Sequence, residues 1–127
     1  MPERHYDYDE AQPGGKQILP RREQIIEDLT HWIDLNLHAV HSIEDVAARS
    51  GYSRWHIQHM FKQVNRVSIL AYVRQRRLER AAKDLTEGQE SISAIALRHG
   101  FGSQQAFSRA FIKWQKMKPS TFRSCAR

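Results

Sequence analysis

The chain has 127 residues, of which 40% are hydrophobic, 27% charged and 9% aromatic, and its formal net charge is +6. This suits one globular domain or two small lobes around modest cores. No apolar run approaches the ~18 residues of a membrane span, the acidic and polar N-terminus does not read as a signal peptide, and the lone Cys125 excludes an internal disulfide and fits a reducing cytoplasm.

Residues 1–20 carry two basic and four acidic side chains, so the remainder carries +8. A basic body behind an acidic tail favours a polyanionic partner, nucleic acid before membrane. Residues 1–21 lack periodicity and are interrupted by Pro13-Gly14-Gly15, which predicts a disordered tail. From Arg22 to Leu37 the apolar residues Ile25, Ile26, Leu29, Trp32, Ile33 and Leu37 fall at helical spacing and predict a packing helix with Trp32 in the core.

Ser42 then caps a short helix with Glu44 and Asp45 in its first turn, and Ser50-Gly51 ends it. Ser53 caps the next helix, which runs to about Asn65. At 100° per residue Ile57, Met60, Phe61 and Val64 share one side of it, while Trp55, Gln58, His59 and Lys62 share the other. The first set is a core stripe. The second holds groups that reach base edges and phosphates. A solvated amphipathic face is the ordinary reading of one such helix taken alone.

Ser68 begins the longest helix, with Leu70, Leu78, Ala81 and Leu85 on one side and Arg74, Arg76, Arg77, Arg80 and Lys83 between them. Gly88 is suited to a left-handed cap at its end. About 19 residues give about 28 Å at 1.5 Å per residue. The arginines either reach a polyanion or clamp carboxylates and helix ends, and at least one is expected to be structural. Ser91 caps a short helix with Ile92, Ile95 and Ala96 inward. Ser103 caps another to about Lys116, and Pro119 precedes a last short turn or helix over Ser120–Arg123. Nothing alternates like a strand, so the fold class is all-α.

The chain repeats itself. Ile43, Ala47, Gly51 and Tyr52 recur at Ile92, Ala96, Gly100 and Phe101, an offset of 49. After one inserted residue, Ile57, Phe61 and Tyr72 recur at Phe107, Phe111 and Phe122, an offset of 50. The second candidate recognition helix then has Phe107, Ala110, Phe111 and Trp114 inward. Gln105, Ser108, Arg109 and Ile112 face outward. Successive major-groove segments on one face of B-DNA lie ~34 Å apart. Two such helices separated by a ~28 Å helix and its connections fit that spacing within one chain. This predicts binding as a monomer to an asymmetric site.

Gly51-Tyr52-Ser53-Arg54-Trp55-His56-Ile57-Gln58, Tyr72-Val73-Arg74-Gln75-Arg76-Arg77-Leu78 and Gly100-Phe101-Gly102-Ser103-Gln104-Gln105-Ala106-Phe107-Ser108-Arg109 resemble the AraC/XylS family of bacterial transcription activators. The likeness is greatest to its short, single-module subgroup typified by the MarA, SoxS and Rob regulators. It covers residues 22–124 and implies a first helix-turn-helix subdomain over 22–66, a linker helix over 67–87 and a second subdomain over 88–124. It implies a homeodomain-like AraC-type DNA-binding domain whose two recognition helices enter the major groove of double-stranded promoter DNA, and the recruitment of RNA polymerase. Trp55, Gln58, His59, Gln104, Gln105, Ser108 and Arg109 match base-facing places, and Ser53, Arg54, Lys62, Ser103 and Lys113 match phosphate-facing ones.

His59 stands where the subgroup usually has arginine, and Ile112 where it has lysine or arginine. Arginine reads guanine bidentately and histidine does not. Altered or relaxed base preference is therefore expected in the first half-site. The resemblance and the chain length imply no inducer-binding domain, no small-molecule inducer, no cofactor and a cytoplasmic, nucleoid-associated site of action. His56 and His59 have the three-residue spacing of a metal pair, yet no cysteine or carboxylate completes a site nearby, so no metal is expected. No phosphate loop, nucleophile elbow or paired-carboxylate motif marks an enzyme. Two rivals remain open: a regulator acting mainly by contact with polymerase or another protein, and a non-specific architectural DNA binder.

Overall fold

The computed structural model describes residues 21–126. The tail expected over residues 1–21 lies outside the described residues except for Arg21, which opens the first helix. The order is α1 (Arg21–Leu35), a 3-10 turn (Leu37–Ala39), α2 (Ile43–Ser50), α3 (Arg54–Asn65), α4 (Ile69–Glu87), α5 (Ile92–Arg98), α6 (Gln104–Gln115) and α7 (Pro119–Ala126). No strand occurs among the described residues, and the all-α expectation holds. The chain divides between Val73 and Arg74 into two compact units.

In the first unit, α1 stops two residues short of the expected Leu37. The Asn36 amide donates to the Trp32 carbonyl at 2.9 Å and the chain tightens into the 3-10 turn, with Leu37 still buried. Asp45 accepts from the backbone N–H groups of His41 (2.7 Å) and Ser42 (3.1 Å), satisfying donors at the start of α2. Gly51 (φ 82°) closes α2 in the left-handed region, where a Cβ is penalised. The Ser53 hydroxyl accepts from the His56 N–H at 3.1 Å and starts α3.

This frame surrounds a core of Ile26, Ile33, Val46, Ile57, Phe61 and Ile69, all at most 1% exposed. The inward set expected for α3 is buried at Ile57, Met60 and Phe61 and partly buried at Val64. Trp32 lies at the margin rather than inside, packed against the core with the Arg49 guanidinium 5.6 Å from its ring centroid. The Tyr72 hydroxyl donates to Asp34 at 2.8 Å.

Leu70 was expected on the buried side of α4, but it is 48% exposed. Ile69 and Val73, four residues apart, take the core face there, and Leu70 is turned 100° from Ile69. Gly88 is likewise not left-handed, although its N–H does donate to the Asp84 carbonyl at 3.0 Å.

The second unit repeats the device. Ser91 accepts from the Ala94 N–H at 3.0 Å and Ser103 from the Ala106 N–H at 3.1 Å. Gly100 (φ 84°) makes the turn, and Gly102 (φ 77°) is the inserted residue. Leu78, Ala81 and Leu85 of α4 meet Ile95, Ala96, Phe107 and Phe111. The Phe111 ring stands edge-on to Trp114 and Phe122, at 5.5 and 5.2 Å between centroids. Pro119 starts α7 at the first helical position, where its missing N–H costs nothing. This helix runs to Ala126, three residues past the expected end at Arg123.

Candidate nucleic-acid interface

α3 and α6 are built alike. Each has 12 residues, a serine cap whose hydroxyl accepts from the third backbone N–H beyond it, and a basic left-handed residue at its end. Those residues are Arg66 (φ 66°) and Lys116 (φ 64°), at the offset of 50 that relates the two helices. With the apolar stripe buried, the opposite stripe is left outward by the helical repeat alone.

On α3 that stripe holds Trp55, Gln58, His59 and Lys62. Trp55 is 67% exposed and is not seated in the core. Its indole stacks on the His59 imidazole, with centroids 3.9 Å apart and planes 27° from parallel. His59 Nδ1 lies 2.8 Å from the Trp55 carbonyl oxygen. Gln58, His59 and Lys62 line a groove of about 450 Å³ whose other walls include Ile43, Ile69 and Leu70. Leu70, 48% exposed, lies along the wall of this groove.

On α6 a second groove of about 450 Å³ is lined by Gln104, Gln105, Ser108, Arg109 and Ile112. The four base-facing candidates of this helix, Gln104, Gln105, Ser108 and Arg109, therefore stand together. Ile112 (41% exposed) is apolar ground beside them. Lys113 is exposed on the same helix, as Lys62 is on α3.

Among the remaining phosphate candidates, Arg54 is engaged: its Nη1 donates to Glu44 Oε2 at 2.6 Å, with both side chains about 60% exposed. Glu44 sits in the first turn of α2. A backbone N–H bond, the Ser42 side chain and the Arg54 charge hold its carboxyl below its ordinary value. Ser53 and Ser103 use their oxygens as caps, which leaves each O–H proton free in direction to donate outward.

The arginines of α4 divide as expected in part. Arg76 pairs with Glu79 one turn on. Arg77 is half-buried, with its guanidinium against the Gly100 turn, and burial pushes its charged form to a lower pKa than usual. The end of α5 is fastened to α4: Arg98 donates to Asp84 at 2.8 Å and also to Glu90, and His99 Nε2 lies 2.6 Å from Asp84. Burial disfavours the Asp84 charge, but the hydrogen bonds from His99 and Arg98 outweigh it and hold the carboxyl below its ordinary value.

Sequence reasoning did not find the Trp55–His59 stack, the Glu44–Arg54 pair or the Asp84–Arg98–His99 cluster. The first had a signal, since positions four apart on a helix are neighbours. The others join residues ten and fourteen or more apart and need the tertiary fold. His56 and His59 do not pair on a common ligand position: His56 meets the Tyr52 ring edge-on at 4.9 Å, and His59 is turned to its own backbone. Among the described residues no group of three or more His, Cys, Asp or Glu side chains is placed to hold a metal ion, and no helix is long and apolar enough to cross a membrane.

Two helix-turn-helix units, each with a polar outward stripe on its second helix, define a DNA-binding protein. The helix-turn-helix domain family matches residues 39–124. Over 99 residues the chain is 44% identical to the transcriptional regulator Rob of Salmonella typhimurium, covering 78% of this chain and 34% of Rob. Over 101 residues it is 42% identical to the regulatory protein SoxS of Escherichia coli, covering 80% of this chain and 94% of SoxS. The chain thus spans about a third of the length of Rob and nearly all of SoxS. A transcriptional regulator with an AraC-type DNA-binding domain from Chromobacterium violaceum superposes with a TM-score of 0.76 at 26% identity, covering 82% of this chain and 93% of that one. The chain belongs to the AraC family of helix-turn-helix DNA-binding transcription regulators, on its SoxS- and Rob-like branch.

Proposed function

We propose that this protein is a sequence-specific transcription activator that binds promoter DNA as a monomer, lays α3 and α6 in successive major-groove segments and recruits RNA polymerase. One observation carries the reading: two helices of matching length, cap and termination bury the same kind of stripe and leave outward side chains of the types that reach base edges and phosphates. Trp55, Gln58 and His59 read bases in the first half-site. Gln104, Gln105, Ser108 and Arg109 read them in the second, where Arg109 supplies the bidentate fork that matches guanine. Ser53, Arg54, Lys62, Ser103 and Lys113 meet phosphates, release counterions and supply the salt-sensitive, sequence-blind part of the affinity. Bacterial promoter DNA sets the place of action as the cytoplasm, at the nucleoid.

The test is selection of bound sequences from a random duplex pool, followed by salt titration with wild type, Trp55→Ala and Arg109→Ala. The expected result is a motif with two half-sites about one helical turn apart, bound one chain per site. Arg109→Ala should relax one half-site by roughly tenfold, within the ~1–3 kcal/mol range of a bidentate base contact. Enrichment of no motif with a steep salt slope would instead identify an architectural binder. Negligible DNA affinity would identify a regulator that works by protein contact. Two chains on one short site would remove the monomer reading.

A further inference from the structure

We propose that His59 is a hydrogen-bond acceptor toward DNA, so that the first half-site is read at that position as a base carrying an exocyclic amino group, adenine or cytosine, and not as guanine. The proposal rests on the reading that α3 lies in the major groove.

The argument begins with the proton on the ring. His59 Nδ1 lies 2.8 Å from the Trp55 carbonyl oxygen. A carbonyl oxygen only accepts, so Nδ1 carries the hydrogen. A neutral imidazole has one N–H, and Nε2 on the far edge of the ring is then a lone pair. The ring is not free to reverse these roles cheaply. Moving the proton to Nε2 would set the Nδ1 lone pair against the carbonyl, and flipping the ring would put Cδ2–H there and lose the hydrogen bond. The Trp55 indole, stacked at 3.9 Å between centroids, holds the ring plane as well. His59 is exposed on the outward stripe, between Trp55 and Lys62.

A fixed acceptor on that stripe selects among bases by simple complementarity. On major-groove edges the donors are the N6 amino group of adenine and the N4 amino group of cytosine. Guanine offers N7 and O6, and thymine offers O4, all acceptors. Nε2 facing guanine would place lone pair against lone pair. An arginine at this position carries donors only and would have the opposite preference. Exchanging an acceptor for a donor-only side chain at this position would therefore recode the site and not merely weaken it.

The experiment compares selected motifs for wild type, His59→Arg and His59→Ala. The core face of α3 is unaltered in all three, since Ile57, Met60 and Phe61 lie on the other side. The motif position that changes among the proteins is the one residue 59 reads. Wild type should select adenine or cytosine there, His59→Arg should select guanine, and His59→Ala should show little preference. Binding is then measured with the amino group deleted, using purine in place of adenine or 2-pyrimidinone in place of cytosine. Wild type should lose roughly fivefold, the scale of one net hydrogen bond, and His59→Ala should lose nothing. Whichever deletion matters identifies the base.

Guanine selected by wild type, no motif position that changes with residue 59, or an equal loss in His59→Ala would each overturn the proposal. These outcomes differ from a failure of the groove reading. In that case Trp55→Ala, on the same helix, would leave the motif untouched as well.

Discussion

Replacing Gly100 and Gly102 by alanine, one at a time, separates two costs in the turn that aims α6. Both glycines are left-handed, at φ 84° and 77°. An L-residue there costs roughly 1–2 kcal/mol, partly offset by the ~0.4–1 kcal/mol gained from a stiffer unfolded chain. Gly102 has nothing within 4 Å of an added Cβ, so Gly102→Ala should cost only this backbone difference, about 1 kcal/mol. At Gly100 the Cβ would lie 3.2 Å from Arg77 Nη1 and 3.3 Å from its Cζ. The half-buried guanidinium must yield by a few tenths of an ångström, a strain at the low end of overpacking, so Gly100→Ala should cost roughly 2–3 kcal/mol in all. The assay is urea unfolding followed by Trp114 fluorescence in a Trp32→Phe, Trp55→Phe background, so that only the second unit reports. In an Arg77→Ala background the excess at Gly100 should vanish, as a double-mutant cycle would show. Equal costs at the two glycines, or an excess that survives Arg77→Ala, would refute the steric account. A neutral Gly102→Ala would refute the backbone one.

Three further outcomes are expected. Glu44→Gln removes a carboxylate 2.6 Å from Arg54 and should raise affinity for any duplex by roughly two- to fivefold at low salt, an effect lost at high salt; filter or anisotropy titrations at two ionic strengths check it. Asp84 has a carboxyl held below its ordinary value, so it contributes stability above the unfolded pKa of ~4 that is lost as pH falls through the folded value; Asp84→Asn should flatten the acid limb of a pH-dependent unfolding series below about pH 4. Ile112→Lys places a cation on the rim of the α6 groove and should steepen the log–log salt dependence by about 0.9, while an unchanged slope would show that this edge does not meet the DNA backbone.

Much of this architecture is legible in the order of residues. Ser53 and Ser103 stand one residue before each recognition helix, and the apolar spacing behind them fixes which stripe is buried. The offset of 49 also carries backbone information, since Gly51 and Gly100 prove to share the left-handed conformation. The matching pair Arg66 and Lys116 was not legible, because neither residue type signals a positive φ. Leu70 and Gly88 mislead for related reasons. Each has the right type near a helix end, but which residue enters the core or the cap depends on the register in which α4 meets its neighbours. Arg54 shows the same limit at the interface: its position suits a phosphate, yet only the fold brings Glu44 beside it.

The two recognition helices then differ in a way their common frame permits. Paired positions inside are conservative in kind, Ile57 with Phe107 and Phe61 with Phe111, because each fills a core. Paired positions outside are not: Lys62 corresponds to Ile112, and the aromatic pair Trp55–His59 to Gln105 and Arg109. Fold stability constrains the outward stripe weakly, so its chemistry is open to the demands of the partner. On the proposed reading, α6 would meet those demands with separate flexible side chains that lose rotamer freedom on engagement. On α3 the stack and the backbone hydrogen bond have already fixed two rings before any partner arrives. Less ordering cost remains to be met there. On the proposed reading of α3, a side chain that lacks the forked cation of arginine still discriminates, because its acceptor is held in one orientation toward a groove in which only two bases can donate.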